Sequence, residues 1–235
     1  YRGNLRGLEV AVKIIKDVNH MGSFAREATI MRMLDHPHLM RSHGVSMLPN
    51  RSLPNAGTAG GQSACILMEY MPSGNLHEYL MSRGRAKINT EALTGFLRDI
   101  CEALAYLETH SIAHCDIAAN NVLLSLNLVA KLSDFGLAIK YGDSYSPKLG
   151  KPSNHKEKIR IKWAAPESLK SDVHTNKSDM WSFGVFIWEV FQFGRTPYPR
   201  IRNSQMLEYI NAGNRMDPPE NCPTDLKNLI LRCWQ

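Results

Sequence analysis

The chain has 235 residues, 43% hydrophobic and 21% charged, a balance ordinary for a globular protein with one large domain or two modest lobes. No run approaches the ~18 consecutive apolar residues of a membrane span. The five cysteines are scattered, odd in number and without CxxC spacing, which argues against a disulfide framework or a zinc site and for reduced thiols in a cytoplasmic protein. The net charge of +6 permits an acidic partner. A nucleic-acid binder would rest on that charge alone, since no zinc-knuckle, RNP or Arg-rich signature accompanies it.

The N-terminus, "YRGNLRGLEVAVKIIK", has neither a signal-peptide pattern nor an initiator Met and reads like the middle of something longer. In "LEVAVKII", Val10, Val12 and Ile14 alternate with Ala11, Lys13 and Ile15, which predicts a strand carrying Ala11 and Lys13 on one face. "SFAREATIMRMLD" follows with helical spacing: Phe24, Ala28, Met31 and Leu34 share a stripe, Ser23 is a candidate cap, and His36-Pro37 ends it. Residues 46–64, rich in Gly, Pro, Ser and Asn, predict a long loop between two strands. "CILMEYM" is the second of those strands, and a hinge between two lobes falls at Glu69 to Ser73.

The remainder is mainly helical. Leu93, Phe96, Leu97, Ile100, Leu104 and Leu107 form one apolar stripe. "SDMWSFGVFIWEVFQFG" is apolar nearly all round, which predicts a buried central helix capped by Ser178 or Asp179.

Taken singly, Lys13, Glu27, the Asp116/Asn121 spacing and Asp134-Phe135-Gly136 are weak signals. In order they read "AVK", a helical Glu, "MEYM", "HCD....N", "DFG", "APE" and "KSDMWSFGV". That order resembles the protein-kinase signature set over nearly the whole chain. The resemblance implies an α+β, two-lobed kinase fold: residues 1–71 as a partial, mainly β small lobe with one helix, and 72–235 as a mainly α large lobe lacking its final helix. If "YRGN" is the turn before the lysine strand, the Gly-rich nucleotide-covering loop and its two strands precede this chain. The Arg that in kinases pairs with the APE glutamate, here Glu167, is expected beyond its end.

Roles follow from the same resemblance. Phosphoryl transfer needs charge neutralisation and in-line positioning more than covalent chemistry. Lys13 would hold the α/β-phosphates of ATP and be held by Glu27. Asp134 would bind Mg²⁺ (or Mn²⁺), with Asn121 a ligand of a second ion. Asp116 would accept the proton of the substrate hydroxyl or orient it. Ala11 and Leu123 would sandwich the adenine, the backbones of Glu69 and Met71 would bond its edge, Met68 takes the gatekeeper position, and Asp179 would hold the catalytic-loop backbone.

Ala118 stands where serine/threonine kinases usually carry Lys, "DIAANN" resembles the tyrosine-kinase "DLAARN", and "IKWAAPESL" resembles the tyrosine-kinase substrate-binding segment. "YLMSRGR", "ICEALAYLE", "NVLLSLNLVAKLSDFGLA", "FGRTPYPRI" and "MDPPENCP" look most like the C-terminal Src kinase (Csk) family. The resemblance therefore implies a cytoplasmic, non-receptor protein-tyrosine kinase. Its expected substrates are tyrosine-bearing proteins, among them Src-family tails, with SH3 and SH2 domains upstream and no nucleic-acid partner.

The chain departs from the pattern at three places. Cys115 replaces an Arg that in many kinases pairs with a phosphorylated activation-loop residue, and a thiol cannot form that bidentate pair. Asn120 replaces the Arg expected beside the substrate tyrosine. Ser42 replaces a Leu in the apolar column behind Met31, Phe135 and His114, where a buried hydroxyl would weaken packing. These leave an alternative open: a pseudokinase acting as a binding module. From Lys140 to Lys162 there are seven Lys/Arg against two acids, which would attract an acidic peptide. Tyr141 and Tyr145 are candidate phosphorylation sites. "SRGR" (Arg83, Arg85) resembles part of a basic substrate-docking surface in which Met81 replaces one arginine.

Overall fold

The computed structural model describes residues 1–15, 21–49, 62–141 and 159–235. The chain opens with a hairpin of β1 (Arg2–Leu5) and β2 (Leu8–Ile14), in register from Arg2 opposite Ala11 to Leu5 opposite Leu8. The turn is Arg6-Gly7, both with positive φ (52° and 90°), as a two-residue hairpin turn requires. The Asn4 side chain accepts the Gly7 N–H at 2.8 Å. The expectation that "YRGN" is the turn is therefore corrected. Gly3 and Asn4 are strand residues, and one strand does precede the lysine strand in this chain.

The sheet order is β1-β2-β4-β3, antiparallel throughout, with β3 Ser42–Pro49 and β4 Gln62–Glu69. The ladder runs out to Pro49 opposite Gln62. The loop expected over 46–64 is thus overdrawn at both ends: 46–49 and 62–64 are strand, and 50–61 lie outside the described residues. The physical reason is that β3 is an edge strand, where Pro49 removes no ladder bond that a neighbour needs.

Helix α1 (Met21–Met33) buries Glu27, Ile30 and Met31, with Phe24 and Ala28 packed against the core as the stripe predicted. Ser23 lies inside this helix rather than at its cap. Val10, Val12 and Cys65 make a small apolar cluster on the sheet, whereas Ile66 joins Ile30, Met31 and Leu39 in the main core.

That main core continues through the helical part: α2 (Leu76–Arg83), α3 (Thr90–Thr109), α4 (Pro166–Ser171), α5 (Asn176–Phe191), α6 (Met206–Asn211) and α7 (Thr224–Cys233). Asn75 and Asn89 cap α2 and α3 through their side-chain oxygens. All six residues of the α3 stripe are buried, each contributing about 1.5–3 kcal/mol relative to exposure. Helix α5 is buried without a break from Trp181 to Phe191. Its cap is Thr175, in a capping box with Ser178, and not Ser178 or Asp179 as expected. Asp179 is thereby released for another task. At Gly184 a Cβ would come within 2.7 Å of Cys233 and Trp234, so this glycine sets how closely α5 approaches the end of α7.

Two short antiparallel pairs lie between sheet and helices: β5 (Ile112–Ala113) with β8 (Ile139–Lys140), and β6 (Val122–Leu124) with β7 (Ala130–Leu132). The loops that follow β5 and β7 carry the predicted chemistry.

Candidate active site

Lys13 sits on β2, and its Nζ donates to Glu27 Oε1 at 2.6 Å and to Asp134 Oδ1 at 2.8 Å. Strand, helix and the Asp-Phe-Gly turn, up to 121 residues apart in sequence, meet at one ammonium. Burial works to lower the pKa of Lys13, but the charges of Asp134 and Glu27 outweigh it and the net direction is up. For Glu27, only 5% exposed, burial wins over Lys13 and its pKa rises. Burial also pushes Asp134 up, but the Lys13 charge and hydrogen bond outweigh this and hold the carboxyl below its ordinary range. Asp134 takes a left-handed backbone, φ 64°, and its side chain accepts the Gly136 N–H.

The segment 114–121 is fixed from behind. Asp179 accepts the N–H groups of His114 (2.6 Å) and Cys115 (2.9 Å). Cys115 has φ 67°, a conformation L side chains rarely adopt, and the doubly bonded carboxylate holds it there. Burial pushes Asp179 up to about 7 against the two N–H donors that favour its ionised form. His114 is fully buried, its ring 4.9 Å from that of Phe135. Its Nε2 lies 3.0 Å from the Ser133 carbonyl while the Asp116 N–H points at Nδ1, which selects the neutral tautomer protonated on Nε2. Burial lowers its pKa in the same sense. The Cys115 thiol is pushed well above its usual range by burial and then by the Asp179 charge, so it is a poor nucleophile and a poor metal ligand.

Asp116 accepts from Asn121 Nδ2 through Oδ2 at 2.6 Å, and its backbone carbonyl accepts from the same nitrogen at 2.7 Å. The Asn121 carbonyl in turn takes both the N–H and the hydroxyl of Ser133, which sets the neighbouring Asp134 beside the Asp116 loop. Asn121 Nδ2 is committed to Asp116, so Oδ1 is the end left to bind a cation. A half-exposed carboxylate with an amide oxygen is a hard, oxygen-only donor pair. It suits Mg²⁺, which takes few protein ligands and completes its shell with phosphate and water. Among the described residues no three His, Cys, Asp or Glu side chains form a metal cage of their own.

The expected adenine-binding residues are distributed as follows. Ala11 pairs with Met68 across β2 and β4, and Glu69 ends β4. Met71 is buried, its carbonyl accepting the Gly74 N–H. Leu123 lies on β6, bridged to Asn75. Ser42 corrects the expectation of a buried hydroxyl. It is half-buried at a bulge in β3, where its Oγ accepts the Gly44 N–H at 3.2 Å. Beside it an open pocket of about 700 Å³ lies between α1 and β3, lined by Met31, Leu34 and Ser42 among others.

Three positioning features escaped the sequence reading. Glu189, buried in the middle of α5, accepts the Ala119 N–H (2.9 Å) and the Trp163 Nε1–H (3.0 Å) through one oxygen, tying the 114–121 loop to the segment before the APE motif. Lys131 donates to both oxygens of Glu69. Arg160 Nε donates to Asp116 Oδ1 at 2.8 Å. A charged residue inside an otherwise apolar helix was the available signal for Glu189; nothing local marked the other two. Arg83 and Arg85 lie over the rings of Tyr79 and Phe193, while Met81 is exposed. Tyr141 is described and its N–H bonds Ser111; Tyr145 and most of the basic stretch lie outside the described residues. Among the described residues no helix is long and apolar enough to cross a membrane.

A family model described as protein tyrosine and serine/threonine kinase matches residues 1–235. The chain is 38% identical over 234 residues to the megakaryocyte-associated tyrosine-protein kinase of Mus musculus, covering 100% of this chain and 42% of that protein. It is 40% identical over 235 residues to tyrosine-protein kinase csk-1 of Caenorhabditis elegans, covering 99% and 40%. It is 37% identical over 230 residues to tyrosine-protein kinase ABL2 of Homo sapiens, covering 97% and 18%. The chain thus spans less than half the length of these relatives. Family model, relatives and the joined Lys13, Glu27 and Asp134 agree, and the chain belongs to the protein tyrosine and serine/threonine kinase family, as a protein tyrosine kinase domain similar to Csk-type kinases.

Proposed function

We propose that this domain transfers the γ-phosphate of ATP to tyrosine in protein substrates, in a cytoplasmic, non-receptor kinase. The observation that carries the reading is the single ammonium of Lys13 bonded to both Glu27 and Asp134. Such a cation neutralises nucleotide phosphates while fixing the residue that binds their metal. In this reading 1–71 and 72–235 are the two lobes. Ala11 and Leu123 enclose the adenine beside Met68, and the Glu69 and Met71 backbones bond its edge. Asp134 and Asn121 hold Mg²⁺ (or Mn²⁺), which supplies charge stabilisation to the phosphates when bound. Asp116 orients the tyrosine hydroxyl and takes its proton.

Tyrosine over serine rests on Ala118, which stands where serine/threonine kinases usually carry a lysine, and on the names of the relatives. Csk-like members make the tails of Src-family kinases the first substrates to test, with SH3 and SH2 domains upstream. The experiment uses the full-length protein, Mg-ATP and a tyrosine peptide with a Src-family tail sequence. The expected result is phosphotyrosine that disappears in Asp116→Asn. Nucleotide binding without Asp116-dependent transfer would instead establish the pseudokinase reading.

A further inference from the structure

We propose that Arg160 is a positioning residue of the transfer site, supplying the cation that the catalytic loop lacks at Asn120. The inference rests on the kinase reading above. Asp116 is only 12% exposed on its side chain, and both of its oxygens are engaged: Oδ2 by Asn121, Oδ1 by Arg160. The residue at 120, next to the metal-side Asn121, is an exposed neutral amide that brings no charge. The only guanidinium bonded to Asp116 among the described residues comes from 44 positions downstream, in the segment leading to α4.

Arg160 is not a loosely held surface side chain. It is 35% exposed, and its guanidinium carbon lies 5.9 Å from the ring centroid of Trp163. Trp163 is fixed three ways: Nε1–H to Glu189, its carbonyl to the Ser182 hydroxyl, its N–H to the Arg160 carbonyl. Glu189 also holds the Ala119 N–H, one residue from Asn120. The downstream segment and the catalytic loop therefore hang on one buried carboxylate, which fixes Arg160 relative to Asp116.

The chemistry follows from geometry. A charge-assisted bond holds the Asp116 carboxylate in one orientation, with Oδ1 aimed by Arg160 and Oδ2 by Asn121. A guanidinium carries five N–H donors, and among the described residues Asp116 takes one of them. The others suit the anionic oxygens gathered at the reacting centre as the tyrosine hydroxyl gives its proton to Asp116, its oxygen bonds to the γ-phosphorus and the bond from that phosphorus to the departing ADP oxygen breaks. An arginine at the exposed position 120, next to the Asn121 that already bonds Asp116, would bring a cation back to the same loop.

The test measures turnover of the full-length protein on a tyrosine peptide for Arg160→Ala, Arg160→Lys, Asn120→Arg and the Asn120→Arg/Arg160→Ala pair. Arg160→Ala is expected to lower kcat about tenfold or more with KM for ATP within about twofold, Arg160→Lys to retain part of the rate, and the pair to recover most of it. Recovery by an arginine at a different position is a result that a merely structural role for Arg160 would not give. If Arg160→Ala does not fold, Arg160→Gln is read in its place, alone and with Asn120→Arg. A parental or faster rate in Arg160→Ala, or no recovery in the pair, overturns the inference and leaves the kinase reading standing. A parent without Asp116-dependent turnover overturns both.

Discussion

Lys131 closes on Glu69 with its ammonium 2.8 Å from each carboxylate oxygen. Glu69 is the last residue of β4 and Lys131 lies on the β6–β7 hairpin, so this pair ties that hairpin to the end of the sheet. Glu69 also takes the Arg41 N–H at 2.7 Å. Lys131→Met is expected to cost about 1 kcal/mol of stability, the upper range for a partly exposed pair. A double-mutant cycle with Glu69→Gln, followed by urea unfolding, should show a coupling of about 0.5–1 kcal/mol. Additive effects would mean the pair does not join the two parts.

The triad of Lys13, Glu27 and Asp134 makes stability depend on pH in a defined way. Asp134 is depressed below its ordinary 3.8, so its contribution is present above that value and is lost as pH falls through the lowered one. Lys13 is raised above 10.5, so its contribution is present below 10.5 and is lost as pH rises through the raised value. Glu27 is raised above 4.5, so its burial subtracts stability on the alkaline side of 4.5. The stability difference between parent and Lys13→Met should shrink as the medium is acidified below 3.8. Denaturant titrations from pH 3 to 8 check this, and a flat difference would exclude the Lys13–Asp134 bond as its source. Activity in Lys13→Met should fall at least about a hundredfold, the scale of losing a group that acts on the transition state.

Asp179, at about 7 in the folded protein against 3.8 unfolded, gives the opposite slope. The folded state holds its proton more tightly, so this group's contribution falls as pH rises from about 4 to about 7. Asp179→Asn removes that slope, which unfolding curves at several pH values will show. It also turns an amide N–H₂ toward a backbone donor, costing one of the two bonds that hold His114 and Cys115. A loss of about tenfold in turnover is expected, the rate equivalent of one such bond.

Ser42→Leu should fill part of the pocket between α1 and β3 beside Met31. The gain is about 1 kcal/mol from added apolar contact, or roughly 2–4 °C in Tm for a domain of this size. The Gly44 N–H that Ser42 now satisfies is at an exposed residue and can turn to water. A lower Tm would show that the bulge, rather than the packing, needs the serine.

Cys115 should resist alkylation by iodoacetamide at pH 8 while the exposed Cys101 reacts, because burial and the Asp179 charge suppress the Cys115 thiolate. Mass spectrometry of labelled peptides reads the difference. Rapid labelling of Cys115 in the native protein would contradict the burial on which the quiet-thiol reading rests.

The sequence by itself determined the kinase family and the main elements β2, α1, α3 and α5, and it singled out Lys13, Glu27, Asp116, Asn121 and Asp134 as the residues to test. Those features are carried by local patterns: alternation in β2, the α3 stripe, the uninterrupted apolar run of α5, and motifs in fixed order. Turn and cap assignments failed where two residues competed for one role. Asn4 looked like a turn residue but serves the Arg6-Gly7 turn with its side chain, and Ser178 looked like a cap but completes the box of Thr175. Only the tertiary structure decided what Arg160, Glu189 and Lys131 do. Their partners lie 26 to 70 residues away in sequence, and a charged side chain shows its role only when a distant backbone or carboxylate is brought within about 3 Å. The same distance law explains Asn120: its loss of charge is visible in the sequence, while the guanidinium that stands beside Asp116 in its stead is visible only in space.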